Sequence, residues 1–511
     1  MYYFLNNRLD ENSSGIEHAE VKRLKLFKQF GVPAQLAMCQ FNRFAHRTLP
    51  LYGLTDDDYI NVFDYFAGTR NFIPQEITVE DLPLPDDIKI VETDEGDEIY
   101  YESRKIMLVQ TFADSEQVDY IKYFNADNHC TKQDFYDTRG FNSFTQFYDT
   151  GNNHLVAEQF YRPDGSIYYE IAYEQRTKDL AATNIQLTDL DGLKYSLMNN
   201  GQAFTMMLDH LNQEDMDRGE QSTFISDRSN ITNLPMLNMK TPARKIEHFH
   251  NIHFRDYWDP MNSPLTYPSI SQTDQLSKTD LVVTPSTQQA KDMRKRLRTQ
   301  VPIVAIPVGV VPDEQLKAAR VPFTQRIYGK IIVVARLFHE KRLDDAIKAF
   351  NLAYQKNRNL SMDIYGYGDS SDDYREEKML QKLVEDLDLE DVVQFMGYTQ
   401  DIGSAYDESQ LMVMSSRYEG FNMSILEAQS HGVPVVSYDI NYGPKDIIQD
   451  QKDGFLVPSG DIDQLSQHIN DFFHDADMRE RMSAAAYENA KRFSPANVWQ
   501  YWQKYVINPE K

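Results

Sequence analysis

The fold class this sequence predicts is α/β, with an antiparallel β region set inside the first of two parallel-sheet domains. Three observations predict it. Apolar runs of strand length alternate with helix-length segments over residues 1 to about 70, and the same rhythm returns after residue 200. Between them, Tyr123-Phe124-Asn125, Phe135-Tyr136-Asp137, Phe147-Tyr148-Asp149 and Phe160-Tyr161-Arg162 recur at intervals of 12 or 13 residues. Turn residues such as Arg139-Gly140, Thr150-Gly151 and Asp164-Gly165 follow these aromatic steps, and strand, tight turn, strand at this period means a meander.

The first elements form a βαβ beginning: a strand at Tyr2 to Leu5, a glycine loop at Ser13-Ser14-Gly15-Ile16, a helix from Glu17 to Phe30 and a strand at Ala34 to Met38. On that helix Lys22, Arg23, Lys25 and Lys28 alternate with Val21, Leu24, Phe27 and Phe30. A membrane-surface helix would carry such a stripe, and so would a crossover helix packed on its sheet, which is the reading adopted. The meander is expected over residues 75–199. Its period is too short for a propeller blade or a helical repeat, and its aromatics either stack on a ligand, pair with another subunit or pack among themselves.

Ser222 to Asp227, Lys245 to Phe254, Asp280 to Pro285 and Val301 to Ile306 then read as strands, so residues 1–74 and 200–320 make one domain interrupted by the meander. A linker from Pro312 to Arg326 leads into a second domain, residues 325–490. There the strands are Lys330 to Ala335, Leu360 to Tyr365, Val392 to Tyr398, Gln410 to Ser415 and Val433 to Val436, with helices at Arg342 to Tyr354 and Asn422 to Gly432. Phe493-Ser494-Pro495 breaks a helix and Val498 to Trp502 starts another, the core of a terminal segment 491–511.

Composition narrows the class. A chain of 511 residues can bury several cores. Its formal charge of −26 repels polyphosphates and argues against general nucleic-acid binding. No apolar run approaches the roughly 18 residues of a membrane span, and the N-terminus lacks the plan of a signal peptide. Two cysteines, Cys39 and Cys130, are too few for a disulfide framework or a zinc site and fit a reducing cytoplasm. The densest basic stretch, Lys291 to Arg298, suits either a local anion or a solvated helix face, and Asp56-Asp57-Asp58 reads as surface charge.

The chemistry concentrates in the second domain. Glu419 and Glu427 lie eight residues apart around the start of a helix, Glu419 in the strand-to-helix loop and Glu427 at least one turn in. In an open α/β sheet, ligands sit outside the carboxyl ends of the strands, where that loop lies. The helix-start amides near Phe421 to Ser424 are unpaired donors that favour an anion. Upstream, Arg336 and Lys341 share another strand-to-helix loop, where a planar fork and a point charge can clamp a diphosphate from two sides. His248, His250 and His253 gather at a strand end, but their spacing matches no common metal pattern and only Glu247 and Asp256 lie nearby in sequence.

The two glutamates, followed by Ala428 and Gly432-Val433-Pro434-Val435-Val436, resemble the retaining GT-B glycosyltransferases of family 4. That resemblance implies two Rossmann-like domains facing a cleft, with the meander inserted in the N-terminal one and the 491–511 helix crossing back. It implies that Glu419 lies near the donor sugar, Glu427 binds the nucleotide ribose, and Arg336 and Lys341 hold the diphosphate. Gly366, Gly397 and Tyr398 fall where the family contacts the nucleotide, beside Gly420, Phe421 and Asn422. His253, with His250 as the second match, is expected to hydrogen-bond the sugar and steady charge at the anomeric carbon; His250 and Asp227 are placed on the acceptor side. Gly15 matches the family's glycine loop, where the usual Gly-Gly is Ser14-Gly15 here.

The β insertion, the Ser13-Ser14-Gly15 loop and Asp439 to Pro444 narrow the resemblance to bacterial wall teichoic acid α-glycosyltransferases and to the enzymes that add N-acetylglucosamine to serine-rich adhesins. It is strongest over 330–460 and rests on pattern in the insertion. The activity it implies is retaining transfer of glucose or N-acetylglucosamine from a UDP-sugar to a hydroxyl of poly(glycerol-phosphate). Ser or Thr of a serine-rich surface protein is the alternative acceptor. A catalytically silent GT-B subunit and a UDP-sugar epimerase are the rival readings. No metal cofactor is expected, since no Asp-x-Asp site stands near the donor motifs. Expected partners are the donor, a polyol-phosphate or Ser-rich acceptor, and a homo-oligomer or hetero-complex formed through the insertion. The expected location is the cytoplasm, peripheral at the inner face of the cell membrane.

Overall fold

The computed structural model describes residues 1–176, 179–399 and 401–509, without the side chains of Asp179 and Thr273; the last two residues of the expected 491–511 segment therefore lie outside it. The chain falls into two compact units, one of Met1–Glu17 and Gly31–Lys245, the other of His18–Phe30 and Ile246–Lys511.

In the first unit four parallel strands run in the order Thr223–Ser226, Tyr2–Asn6, Ala34–Met38, Tyr59–Asn61. Phe4 stands opposite both Ile225 and Leu36, and all three are fully buried. Burial on both faces is why these strands read as unbroken apolar runs. Asp58 corrects the surface-charge expectation: it is buried, and its carboxylate accepts from the Thr55 amide and hydroxyl at 3.0 and 3.1 Å, capping a short turn.

The aromatic repeat forms a ten-stranded antiparallel sheet from Ile88–Thr93 to Lys194–Leu197, each strand beside its neighbour in sequence. Its rings pack among themselves and on the parallel sheet's loops. Phe135 stacks on Phe144 at 4.5 Å and Phe144 on Phe160 at 5.3 Å, while Phe41 meets Phe144 and Phe160 edge-on at 5.0 and 5.2 Å. A polar anchor accompanies them. The buried Arg139, in a meander turn, donates to Asp137 at 2.8 Å, to Asp64 at 2.5 Å and to the Thr69 carbonyl at 3.2 Å.

In the second unit, Arg244–His248 (from Ile246 onward), Leu281–Thr284 and Ile303–Ala305 are parallel. The strand expected to reach Phe254 stops at His248. The Phe249 amide still donates to the Val283 carbonyl at 2.9 Å, but the Ile252 amide turns back on the Asn251 side chain at 2.8 Å. A local Asn-backbone bond there takes the place of a ladder bond.

The other sheet of this unit is wholly parallel, in the order Val393–Gly397, Ser361–Tyr365, Lys330–Val334, Leu411–Met414, Val435–Asp439, Gly454–Pro458. Chain order reverses between Lys330–Val334 and Leu411–Met414. That reversal is a topological switch point, where neighbouring connections leave in opposite directions and open a crevice. Residues 18–30 pack within this unit against the last helix, Pro495–Trp502: Phe27 meets Trp499 and Trp502 edge-on at 5.2 and 5.4 Å, and Phe30 stacks on Trp499 at 4.8 Å.

Candidate active site

The two strands flanking the switch point send out the two loops singled out in the sequence. One joins Lys330–Val334 to the helix Leu343–Tyr354 and carries Arg336 and Lys341; the other joins Leu411–Met414 to the helix Met423–Ser430 and carries Glu419. They are tied together by main chain and side chain. The Arg417 amide donates to the Glu340 carbonyl at 2.8 Å, and the Ser415 hydroxyl donates to the carbonyls of Lys341 and Arg342 at 3.0 and 2.8 Å.

Their meeting point is the Glu419 carboxylate. Its Oε1 accepts from Lys341 Nζ at 2.6 Å, from the Ser416 hydroxyl at 2.7 Å and from Asn422 Nδ2 at 3.2 Å. Three donors on one oxygen fix the direction of the carboxylate. Asn422 has φ 76° and caps the helix, its Oδ1 accepting from the Ile425 amide at 3.1 Å. The short polar side chain tolerates that left-handed backbone and satisfies a helix-start amide. Arg336, on the same loop as Lys341, turns to Glu340 at 3.2 Å and lies over the Phe338 ring at 4.3 Å.

Two glycines let backbones close on this site. A Cβ on Gly420 would lie 1.9 Å from the His250 carbonyl oxygen, so the Glu419 loop and the histidine segment touch main chain to main chain. A Cβ on Gly366 would lie 1.9 Å from the Ala335 carbonyl oxygen, which seats that turn against the residue before Arg336. The Gly366 amide donates to Gly397 at 2.9 Å, and the next ring, Tyr398, meets Tyr367 at 5.8 Å.

Other expected residues sit differently. His253 is 0 % exposed, with neither ring nitrogen hydrogen-bonded. Burial, with help from Arg296, pushes its pKa down to about 3, so the ring is neutral. It lies between Phe254 at 4.9 Å and Tyr442 at 6.2 Å and offers no surface to a ligand. His250 is half-buried, its ring 4.4 Å from that of His248. The Phe421 ring is buried against Phe493 at 5.7 Å, leaving only its main chain for a ligand. In the first unit, Gly15 opens the helix Gly15–Gln29 beside Ser14, whose hydroxyl and amide both donate to Glu17, at 2.6 and 3.0 Å. Burial alone would raise the Glu17 pKa, but Arg228 and Ser14 outweigh it and hold the carboxyl below its ordinary value. Asp227 is buried at the end of Thr223–Ser226, its amide donating to the Leu5 carbonyl at 3.0 Å.

Glu427 projects from the second turn of its helix and pairs with Lys22 at 2.7 Å. Sequence reasoning missed Lys22 as a site residue, although the basic stripe on its helix contained it. Ser416 was missed as well, because a hydroxyl three residues before a glutamate carries no spacing signal.

Residues 324–489 match the model of a family described as Glycosyl transferases group 1. Over 525 residues the chain is 23 % identical to the poly(glycerol-phosphate) alpha-glucosyltransferase of Bacillus subtilis, covering 98 % of this chain and 74 % of that protein. It is 23 % identical over 540 residues to the GtfA subunit of the UDP-N-acetylglucosamine–peptide N-acetylglucosaminyltransferase of Streptococcus pneumoniae, covering 99 % of this chain and 98 % of that one. Among solved structures, the pneumococcal O-GlcNAc transferase GtfA in complex with UDP and GlcNAc superposes with a TM-score of 0.80 at 20 % identity, over 99 % of this chain and 98 % of that one. The fold is thus the GT-B architecture of glycosyltransferases, with Rossmann-like parallel sheets and an inserted antiparallel meander.

Proposed function

We propose that this chain is a retaining, UDP-sugar-dependent hexosyltransferase that moves glucose or N-acetylglucosamine to a hydroxyl of poly(glycerol-phosphate) wall teichoic acid. The observation that carries the reading is the Lys341–Glu419 pair, 2.6 Å apart where two loops leave the switch point of a parallel sheet. A cation there meets the diphosphate and a carboxylate meets the sugar. Arg336, Lys341 and the amides at the start of Met423–Ser430 neutralise the leaving diphosphate in this proposal, with no metal required. Glu427 takes the ribose hydroxyls, Gly366, Gly397 and Tyr398 line the nucleotide, and Gly15 admits the donor to main-chain amides. Sugar contact passes from His253 to the half-exposed His250, with Asp227 kept on the acceptor side.

In the step itself the acceptor oxygen bonds to the anomeric carbon as the bond to the β-phosphate oxygen breaks on the same face. The acceptor proton passes to that phosphate oxygen, and UDP departs. The alternative acceptor, Ser or Thr of a serine-rich protein, is supported by the likeness to the GtfA subunit, and likeness to a subunit also supports a hetero-complex here. The reading keeps the division into 1–74 with 200–320, 75–199, 325–490 and 491–511, and a cytoplasmic location peripheral to the membrane.

Incubating the full chain with UDP-glucose or UDP-N-acetylglucosamine, with and without poly(glycerol-phosphate) or a Ser-rich peptide, tests all of this. UDP release that depends on an acceptor supports transfer. An interconverted sugar nucleotide would instead mean an epimerase, and no turnover a silent subunit.

A further inference from the structure

Next to Glu419 the second unit presents an aromatic and cationic corner that the donor assignment leaves unused. Trp258 is 70 % exposed, more than any other aromatic side chain among the described residues. Its ring meets Tyr257 at 4.8 Å, and Tyr257 meets Tyr418, the residue before Glu419, at 6.2 Å. The loop that carries the indole is braced. The Arg255 amide donates to the Pro264 carbonyl at 3.0 Å and the Asp256 amide to the Ser263 hydroxyl at 2.6 Å, while Arg296 donates to the carbonyls of Pro260, at 2.7 Å, and Ser263. A large apolar ring held open on a stiff loop binds a partner with little further loss of conformational freedom.

Arg417 supplies the charge. Its guanidinium carbon lies 5.9 Å from the Tyr257 ring, and the side chain is partly exposed. Among the described residues no carboxylate lies within 4 Å of Arg417 or Arg255, the Arg417 charge reaching Glu376 only from further off, in a chain with 78 acidic against 52 basic residues. A guanidinium fork matches a phosphate in shape and charge. We infer that Arg417, Tyr257 and Trp258 form an acceptor subsite for a phosphodiester, the guanidinium holding the phosphate while the rings cover the adjoining polyol carbons. This rests on the reading that the acceptor hydroxyl reacts beside Glu419, and it favours a phosphate-bearing acceptor over a peptide.

The test titrates the full chain with a short glycerol-phosphate oligomer, without donor, and follows tryptophan emission. Trp499 and Trp502 are buried, so Trp258 gives the solvent-sensitive signal. The wild type should show a saturable change that salt weakens and neutral glycerol does not produce. Trp258→Phe should lose it, and Arg417→Gln should weaken binding roughly tenfold or more. In turnover, both variants should raise KM for the phosphate polymer and leave KM for the UDP-sugar unchanged. Undiminished binding by Arg417→Gln, or an equal rise in KM with a neutral hydroxyl acceptor, overturns the subsite. Oligomer binding as described without sugar transfer to any acceptor would keep the subsite and sink the proposed function instead.

Discussion

Lys341 Nζ lies 2.6 Å from Glu419 Oε1, although the two residues are 78 positions apart, and both side chains are largely shielded from water. A charge pair held this way is preorganised for charge that develops during reaction. Lys341→Ala and Glu419→Gln should each lower transfer by roughly a hundredfold or more, with far-UV circular dichroism unchanged. Near wild-type rates in either variant would remove the site assignment.

Gly420 should tolerate no side chain. An added Cβ would sit 1.9 Å from the His250 oxygen and 2.5 Å from its carbonyl carbon, both main-chain atoms that cannot swing aside. Gly420→Ala is expected to cost about 1–3 kcal/mol in urea unfolding and to depress activity more than stability, because the displaced segment carries Glu419. Gly397→Ala is the comparison, since nothing lies within 4 Å of its added Cβ; at φ 72° it should show the backbone penalty alone.

His253 sets an acid limit on stability. Its folded pKa is depressed to about 3 from an ordinary 6.5, so the unfolded chain binds the proton first. The stability this ring contributes is complete above 6.5 and is lost as pH falls toward 3. His253→Phe keeps a ring beside Tyr442 and removes the titration. Denaturant unfolding at several pH values should show a flatter slope for the variant over that window, and parallel slopes would refute the assignment.

Arg139→Ala should detach the meander from its base. The side chain is buried and serves Asp64, Asp137 and the Thr69 carbonyl at once. Removing it strands two carboxylates, a loss of about 3–5 kcal/mol. Limited proteolysis should then cut between residues 75 and 199 faster than in the wild type, the Phe41 contacts with Phe144 and Phe160 being insufficient as an anchor by themselves.

Local signals carried most of the architecture. Apolar strands such as Lys330–Val334, and the aromatic period of the meander, declare themselves within ten or so residues, because burial on both faces or on alternate faces leaves a short-range pattern. Glu419, Lys341, Arg336 and Asn422 were legible because their loops begin where those strands end. Contacts between distant segments were not: Lys22 meets Glu427 across 405 positions. Nor does spacing report depth. His253 reads as a ligand contact and Asp58 as surface charge, yet both are buried, and the alternation through His248 to Phe254 imitates a strand that ends at His248.

The chain passes from one compact unit to the other at three points, after Glu17, after Phe30 and after Lys245. No single cleavage can therefore release either half intact. A fragment begun at Ile246 would leave Trp499 and Trp502 without the Phe27 and Phe30 rings they rest on, and would expose two indoles to solvent. Expression of the second unit alone calls for grafting residues 18–30 onto the fragment begun at Ile246, a permutation rather than a truncation.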